Sequence, residues 1–187
     1  WSGTFHSIAN RILRREATRL GYREDYTILD SEDTNTLMKR CVAEADVGHT
    51  EQKYPSPNVL TSIYSFCINT QRDLGDVLRT KHDSLTDLTE PIREILQMYQ
   101  TRKLEMSLMD FDDLLLNWKR LLEEHDDVRE HYSDKFEQIL VDEYQDTNHI
   151  QGRIVDLLAG ERGNLMVVGD DSQSIYAFRG ADYRNIL

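Results

Sequence analysis

The sequence predicts an α/β chain in which a short parallel strand–helix–strand unit follows a long all-helical stretch. Three observations predict it. Two short apolar runs, Ile139-Leu140-Val141 and Leu165-Met166-Val167-Val168, lie near the C-terminal end. A helical pattern separates them, and two strands joined by a helix in one sheet run parallel with a right-handed crossover. Upstream, the apolar residues recur at helical spacing, and the middle of the chain carries no strand signal.

The elements follow in order. Residues 5–20 read as an amphipathic helix with Ile12, Leu13, Ala17 and Leu20 on one face, Arg11, Arg14, Arg15 and Arg19 on the other, and Gly21 as its stop. Residues 32–46 form a second helix, capped by Asp30 or Ser31 and stopped at Gly48. The polar stretch His49–Asn58 holds two prolines and reads as a loop. Ser56-Pro57 then supplies an N-cap and a proline at the first helical position. That helix runs through Ile63, Phe66 and Cys67 to about Leu74, and another begins near Leu88 with Pro91 in its first turn. Asp110 caps a further helix with the stripe Leu114, Leu115, Trp118, Leu121 and Leu122. Ile139-Leu140-Val141 is continuous enough for a strand covered on both faces. Asn148 with Gln151 makes a capping box for a helix that buries Ile150, Ile154, Leu157 and Leu158 and ends at Gly160.

At 187 residues, 39% hydrophobic and 30% charged, the chain is an ordinary globular sequence of one domain, or one domain with an insertion. No apolar run of about 18 residues occurs, so no transmembrane helix is expected. Trp1–Ser7 lacks the basic start and apolar centre of a signal peptide. Cys41 and Cys67 have no metal-ligand spacing and read as buried free thiols of a reducing compartment. The net charge of −12 argues against a nucleic-acid binder. Residues 1–23, however, carry five arginines against Glu16, and such a local basic stripe can meet phosphates or simply face solvent.

The chemistry concentrates at the two strand ends. Asp142, Glu143 and Asp170 follow the apolar runs directly, and open parallel sheets bind ligands beyond the carboxyl ends of their strands. Asp142 and Glu143 can hold a magnesium ion, which typically takes about one or two protein carboxylates together with substrate phosphates. The second carboxylate can also accept a proton from an attacking water. Gln173, both donor and acceptor, suits a terminal phosphate or its water. Tyr176 and Phe178 stand two apart, so in an extended segment both rings project to one side for stacking on unpaired bases, with Arg179 beside them for a phosphate. The plain alternatives are acids that solubilise strand ends and a hydrophobic plug beneath a loop.

Asp142-Glu143-Tyr144-Gln145-Asp146-Thr147-Asn148 resembles the Walker B segment, motif II, of UvrD/Rep/PcrA-type superfamily 1 DNA helicases. Val168 to Asp182, with Gly169-Asp170-Asp171-Ser172-Gln173-Ser174-Ile175-Tyr176 at its centre, resembles their motif III. Gly3-Thr4-Phe5-His6-Ser7 resembles motif Ib, and Met109–Leu115 is another recurring element. The resemblance spans almost the whole chain in the family's order and spacing.

The resemblance implies a partial RecA-like parallel sheet of the P-loop NTPase type with a large all-helical insertion. Residues 1–28 and 106–187 would belong to subdomain 1A and residues 29–105 to subdomain 1B, which meets duplex DNA. Asp142 would bind the Mg2+ of Mg-ATP, Glu143 would be the general base, and Gln173 would sense the γ-phosphate. Tyr176 and Phe178 would stack on single-stranded DNA, although the family often has Trp where Phe178 stands, which weakens the stacking. Thr4, His6 and Ser7 would contact the DNA backbone. The implied whole is a bacterial-type cytoplasmic, nucleoid-associated enzyme with no membrane partner. It would translocate 3′ to 5′ and act at junctions of single- and double-stranded DNA, with the remaining helicase domains and repair or replication proteins as partners. No Gly-x-x-x-x-Gly-Lys-Ser/Thr occurs in the 187 residues. The chain therefore reads as an internal fragment with half a nucleotide site and no ATPase activity of its own, and with Leu140 and Val167 exposed on an incomplete sheet. Rival readings are a subunit of a recombination helicase–nuclease, a metal-dependent nuclease using Asp142, Glu143 and Asp170, and a non-catalytic DNA- or protein-binding module built on the helical insertion.

Overall fold

The structure, a computed structural model, describes residues 1–45 and 54–170. It is mostly helical with two small parallel sheets. The chain divides into two compact units: Trp1–Leu20 together with the described residues from Leu114 onward, and Gly21–Asp113.

In the first unit, α1 (Phe5–Glu16) buries Ala9, Ile12 and Leu13, and a 3-10 turn over Ala17–Leu20 continues the same apolar face. The arginine face is partly satisfied within the unit. Arg19 pairs with Glu16 at 3.0 Å and with both oxygens of Asp127 at 3.2 and 2.7 Å. The Arg11 guanidinium lies 3.8 Å from the centroid of the Trp1 ring. Further along the chain, α6 (Phe111–Glu124) buries Leu114, Leu115, Trp118, Leu121 and Leu122. A helix that the sequence pattern did not announce follows, α7 (Asp126–Lys135), which buries only Val128 and Tyr132.

Strands β3 (Ile139–Val141) and β4 (Leu165–Val167) pair in parallel, with Ile139 opposite Leu165, Leu140 opposite Met166 and Val141 opposite Val167. Helix α8 (His149–Ala159) connects them and starts from the expected capping box: Gln151 N donates to Asn148 Oδ1, and Asn148 N donates to Gln151 Oε1, both at 2.9 Å. It buries Ile150, Ile154, Val155 and Leu158, and Leu157 is only half-buried. Side chains alternate across a strand. One face of the pair packs Val141 with Tyr144, Val155, Phe5, Ile139 and Leu165. On the other, Leu140 is 69% and Met166 58% exposed. The expectation of a strand covered on both faces is therefore corrected, while the exposure expected of Leu140 and Val167 is present.

The second unit contains a sheet where none was expected. Strand β1 (Thr27–Ile28) pairs in parallel with β2 (Leu108–Met109), and Leu29 N extends the ladder to Met109 O at 2.8 Å. Strands of two residues have no readable period, which is why the pattern missed them. Helix α2 (Ser31–Ala45) is capped by Asp30, whose Oδ1 accepts from Glu32 N and Asp33 N, both at 2.9 Å; Gly48 lies outside the described residues. Helix α3 (Pro57–Thr70) begins on the Ser56 cap with proline in its first turn. It does not reach Leu74: Gln71 turns left-handed at φ 55°, and Asp73 then caps a separate helix, α4 (Leu74–Lys81), by accepting from Gly75 N at 2.7 Å. Helix α5 (Thr89–Glu105) completes a core of Leu37, Met38, Cys41, Leu60, Ile63, Val77, Leu78, Ile92 and Ile95. Both cysteines are free thiols, Cys41 buried and Cys67 half-buried. Burial raises both, Cys67 to about 11.

At the junction of α5, β2 and α6 lies a charged cluster sealed from solvent. Lys103, 1% exposed, places Nζ 2.6 Å from Asp110 Oδ2 and 2.6 Å from Asp113 Oδ2. The two aspartates also cap each other: Asp113 N donates to Asp110 Oδ1 and Asp110 N to Asp113 Oδ2, each at 2.9 Å. Tyr99 donates to Asp110 at 2.8 Å, and Lys103 also reaches the Tyr64 hydroxyl at 3.3 Å. The carboxylates hold the Lys103 ammonium well above its ordinary range against the opposing effect of burial. Burial first, and the neighbouring Asp110 second, push Asp113 up to about 7.

Removing the lysine leaves two acids facing each other in the interior. Lys103→Met is expected to cost about 3–5 kcal/mol in urea unfolding, the usual loss when one partner of a buried pair is deleted; a loss under about 1 kcal/mol would show that the cluster is not a structural anchor. The pH dependence has a defined sign. Between the ordinary 3.8 and about 7, the folded state holds on Asp113 a proton that the unfolded chain has released. Stability from this group is thus full at low pH and falls as pH rises toward 7. The Asp113→Asn variant should gain stability relative to the parent chain as pH is raised across that window, and parallel stability–pH curves would contradict it.

Candidate functional site

The site is built where β3 ends. Because Val141 pairs with Val167, the two strands finish side by side and their next residues share one rim. The ladder continues past the strands: Val168 N donates to Val141 O at 2.8 Å, and Tyr144 N donates to Val168 O at 3.0 Å. Between these bonds the chain must turn sharply. Glu143 makes the turn in the left-handed region (φ 53°, ψ 41°), a conformation uncommon for residues other than glycine and held only where the surroundings impose it. A 3-10 turn over Tyr144–Asp146 follows, closed by Asp146 N to Glu143 O at 2.9 Å and by the Thr147 hydroxyl donating to Tyr144 O at 2.7 Å.

Asp142 and Glu143 are both exposed at this rim. Asp142 Oδ1 accepts from Glu143 N at 3.0 Å, which fixes the first carboxylate against the turn. Beneath them lies Gln145, fully buried. Its Nε2 donates to Glu143 Oε2 at 2.6 Å, and its Oε1 accepts from Asp170 N at 3.0 Å. One side-chain amide thus joins the second acid of β3 to the backbone beyond β4. The approach is close: a Cβ on Gly169 would lie 2.6 Å from Gln145 Oε1 and 3.3 Å from Gln145 N, so a larger residue there would force the Gln145 amide to shift. Sequence reasoning assigned no role to Gln145 or Gly169. The signal available was weak: a neutral amide two residues beyond an acid, and a glycine directly after an apolar run.

The structure brings together Asp142, Glu143 and the backbone of Asp170. Gln173, Tyr176, Phe178 and Arg179 lie outside the described residues. Thr4 and Ser7 serve the start of α1: Thr4 Oγ1 accepts from Ser7 N at 3.3 Å, and the Ser7 hydroxyl donates to Thr4 O at 2.8 Å. Gly3 adopts φ 152°, and a Cβ there would collide with Ser7 Oγ, so glycine is required just ahead of this cap. Thr4 and Ser7 remain exposed and His6 is half-buried. The Met109–Leu115 element carries the Asp110–Asp113 caps and the Lys103 anchor, so its visible role is to hold the second unit together.

As a donor set, Asp142 and Glu143 offer hard carboxylate oxygens at the rim of a parallel strand, which fits a magnesium ion that keeps most of its waters. Among the described residues no group of three or more His, Cys, Asp or Glu is placed to enclose a metal ion. No helix among them is long and apolar enough to cross a membrane.

Comparison with known proteins gives a consistent result. The family described as UvrD/REP helicase N-terminal domain matches residues 1–187. The chain is 39% identical to DNA helicase II of Salmonella typhimurium and 38% identical to DNA helicase II of Escherichia coli. It is 37% identical to the ATP-dependent DNA helicase PcrA of Staphylococcus aureus. In each case the match covers the whole of this chain but 25% of the relative, so the chain spans about a quarter of the length of the proteins it resembles. The chain belongs to the UvrD/REP helicase N-terminal domain family.

Proposed function

We propose that the chain is part of an ATP-dependent DNA helicase that couples hydrolysis of Mg-ATP to 3′–5′ movement on single-stranded DNA and to unwinding at a single-strand/duplex junction. The observation that carries the proposal is the rim at β3 and β4, where two exposed carboxylates leave the carboxyl end of a parallel strand and the second is hydrogen-bonded from beneath. That is the place where open α/β sheets bind phosphate ligands. The 1A reading of residues 1–28 and 106–187 as a partial RecA-like fold, and the 1B reading of residues 29–105, belong to this proposal. So do the remaining helicase domains as partners and a location in the bacterial cytoplasm.

In this reading Asp142 holds the magnesium ion and Glu143 accepts the proton of the hydrolytic water. A magnesium ion held by Asp142 would supply positive charge against the phosphates of the nucleotide. Glu143 suits its role because its carboxylate is exposed on one side and oriented by Gln145 on the other. Gln173 would report the state of the terminal phosphate, and Tyr176, Phe178 and Arg179 would take bases and backbone of the single strand. Thr4, His6 and Ser7 would add backbone contacts at the start of α1. With no Gly-x-x-x-x-Gly-Lys-Ser/Thr in its 187 residues, the chain by itself is not expected to hydrolyse ATP.

In the full-length protein, Glu143→Gln should keep nucleotide affinity near that of the parent and lower DNA-stimulated turnover by about a hundredfold or more, the size expected for a general base. Turnover near the parent rate would remove Glu143 from that role. Tyr176→Ala and Phe178→Ala should each weaken binding to an oligothymidine strand by about 1–3 kcal/mol, measured by fluorescence anisotropy. Unchanged affinity would favour the hydrophobic-plug alternative.

A further inference from the structure

We infer that Gln145 is a positioning residue that sets the orientation of the Glu143 carboxylate and links it mechanically to the chain leaving β4. The inference rests on the reading of Glu143 as the general base and deepens it. Its basis is geometric. The Gln145 side chain has no solvent access, and both ends of its amide are used: Nε2 on Glu143 Oε2 at 2.6 Å and Oε1 on Asp170 N at 3.0 Å. An amide offers a donor and an acceptor on opposite atoms, so the same plane that directs the carboxylate is fixed by the backbone of the second strand end. A Cβ placed on Gly169 would lie 2.6 Å from Gln145 Oε1, so a larger residue there would have to displace the amide.

The consequence is directional. Glu143 sits in a left-handed turn at the surface, where an unsupported carboxylate would sample several rotamers. Gln145 restricts it to one. Any displacement of the segment after β4 moves Asp170 N, and through the amide it moves Glu143. The segment after β4 is the part of the chain where Gln173 and the aromatic pair stand in sequence. A buried amide thereby ties the second strand end at Asp170 to the carboxylate assigned to the hydrolytic water.

The test uses two variants of the full-length protein and its DNA-stimulated ATP turnover. Gln145→Met keeps length and loses both hydrogen bonds. Gln145→Glu keeps an acceptor for Asp170 N and replaces the donor to Glu143 with a second carboxylate. Both should lower kcat by about 10–100-fold, the usual cost of removing a group that orients a reacting one, while KM for ATP stays essentially constant, as expected when only the chemical step is affected. In a Glu143→Gln background, Gln145→Met should cause no further loss, because residues that act as one unit are non-additive. Parent-like kcat in Gln145→Glu, or full additivity of the two losses, would overturn the inference; if Gln145→Met does not fold, Gln145→Glu alone decides. Should Glu143→Gln itself turn over normally, the general-base reading fails first. Should Glu143→Gln be inactive while the Gln145 variants are unimpaired, only the positioning role fails.

Discussion

The parallel pairing of β3 with β4 is the constraint on which the candidate site depends. The strands are three residues each, yet their register leaves Asp142 and Val168 at the same level. Two further backbone bonds, Val168 N to Val141 O and Tyr144 N to Val168 O, carry the pairing around the turn at Glu143. Helix α8, which starts from the Asn148–Gln151 capping box, contributes Val155 to the apolar cluster that covers the inner face. Shift the register by one residue and the alternation of faces inverts: Leu140 would turn inward, Val141 outward, and the amide of Asp170 would leave the reach of Gln145.

The second unit is held by a different kind of interaction. Its apolar core is ordinary, but the point where α5, β2 and α6 meet is closed by one lysine between two aspartates, with two tyrosine hydroxyls completing the cluster. Burying such charges is costly unless each is paired and hydrogen-bonded. Here each is. The aspartates serve twice, as caps of α6 and as partners of the buried Lys103 ammonium, which ties a local helix signal to long-range packing.

Much of this was legible locally. Caps are short-range chemistry, so Asp30, Ser56-Pro57, Asp110 and Asn148 with Gln151 announced four helix starts from sequence alone. Asp142 and Glu143 were visible because they directly follow an apolar run. What stayed hidden depended on distance or on brevity. Strands β1 and β2 have two residues each, and their partners are separated by most of the second unit. Helix α7 buries two side chains and so shows no stripe. The run Ile139-Leu140-Val141 by itself read as covered on both faces, and only the incomplete sheet that the family resemblance implied pointed to an exposed Leu140. Gln145 needed the register of two strands to bring Asp170 N to it across 25 positions, and Lys103 looked like any charged residue near a helix end.

The left-handed backbone at Glu143 also shapes which sequences can occupy that position. Branched side chains such as valine, isoleucine and threonine are disfavoured there by sterics alone, before any chemistry is considered. Glycine would relax the turn but has no carboxylate, and asparagine and aspartate tolerate the conformation with a shorter reach. A saturation survey of this position would therefore report two filters at once. Substitutions would separate into those rejected by the backbone and those accepted by the backbone but lacking the proton acceptor. Only the second class carries information about the reaction, so tolerance at residue 143 measures local geometry as much as catalysis.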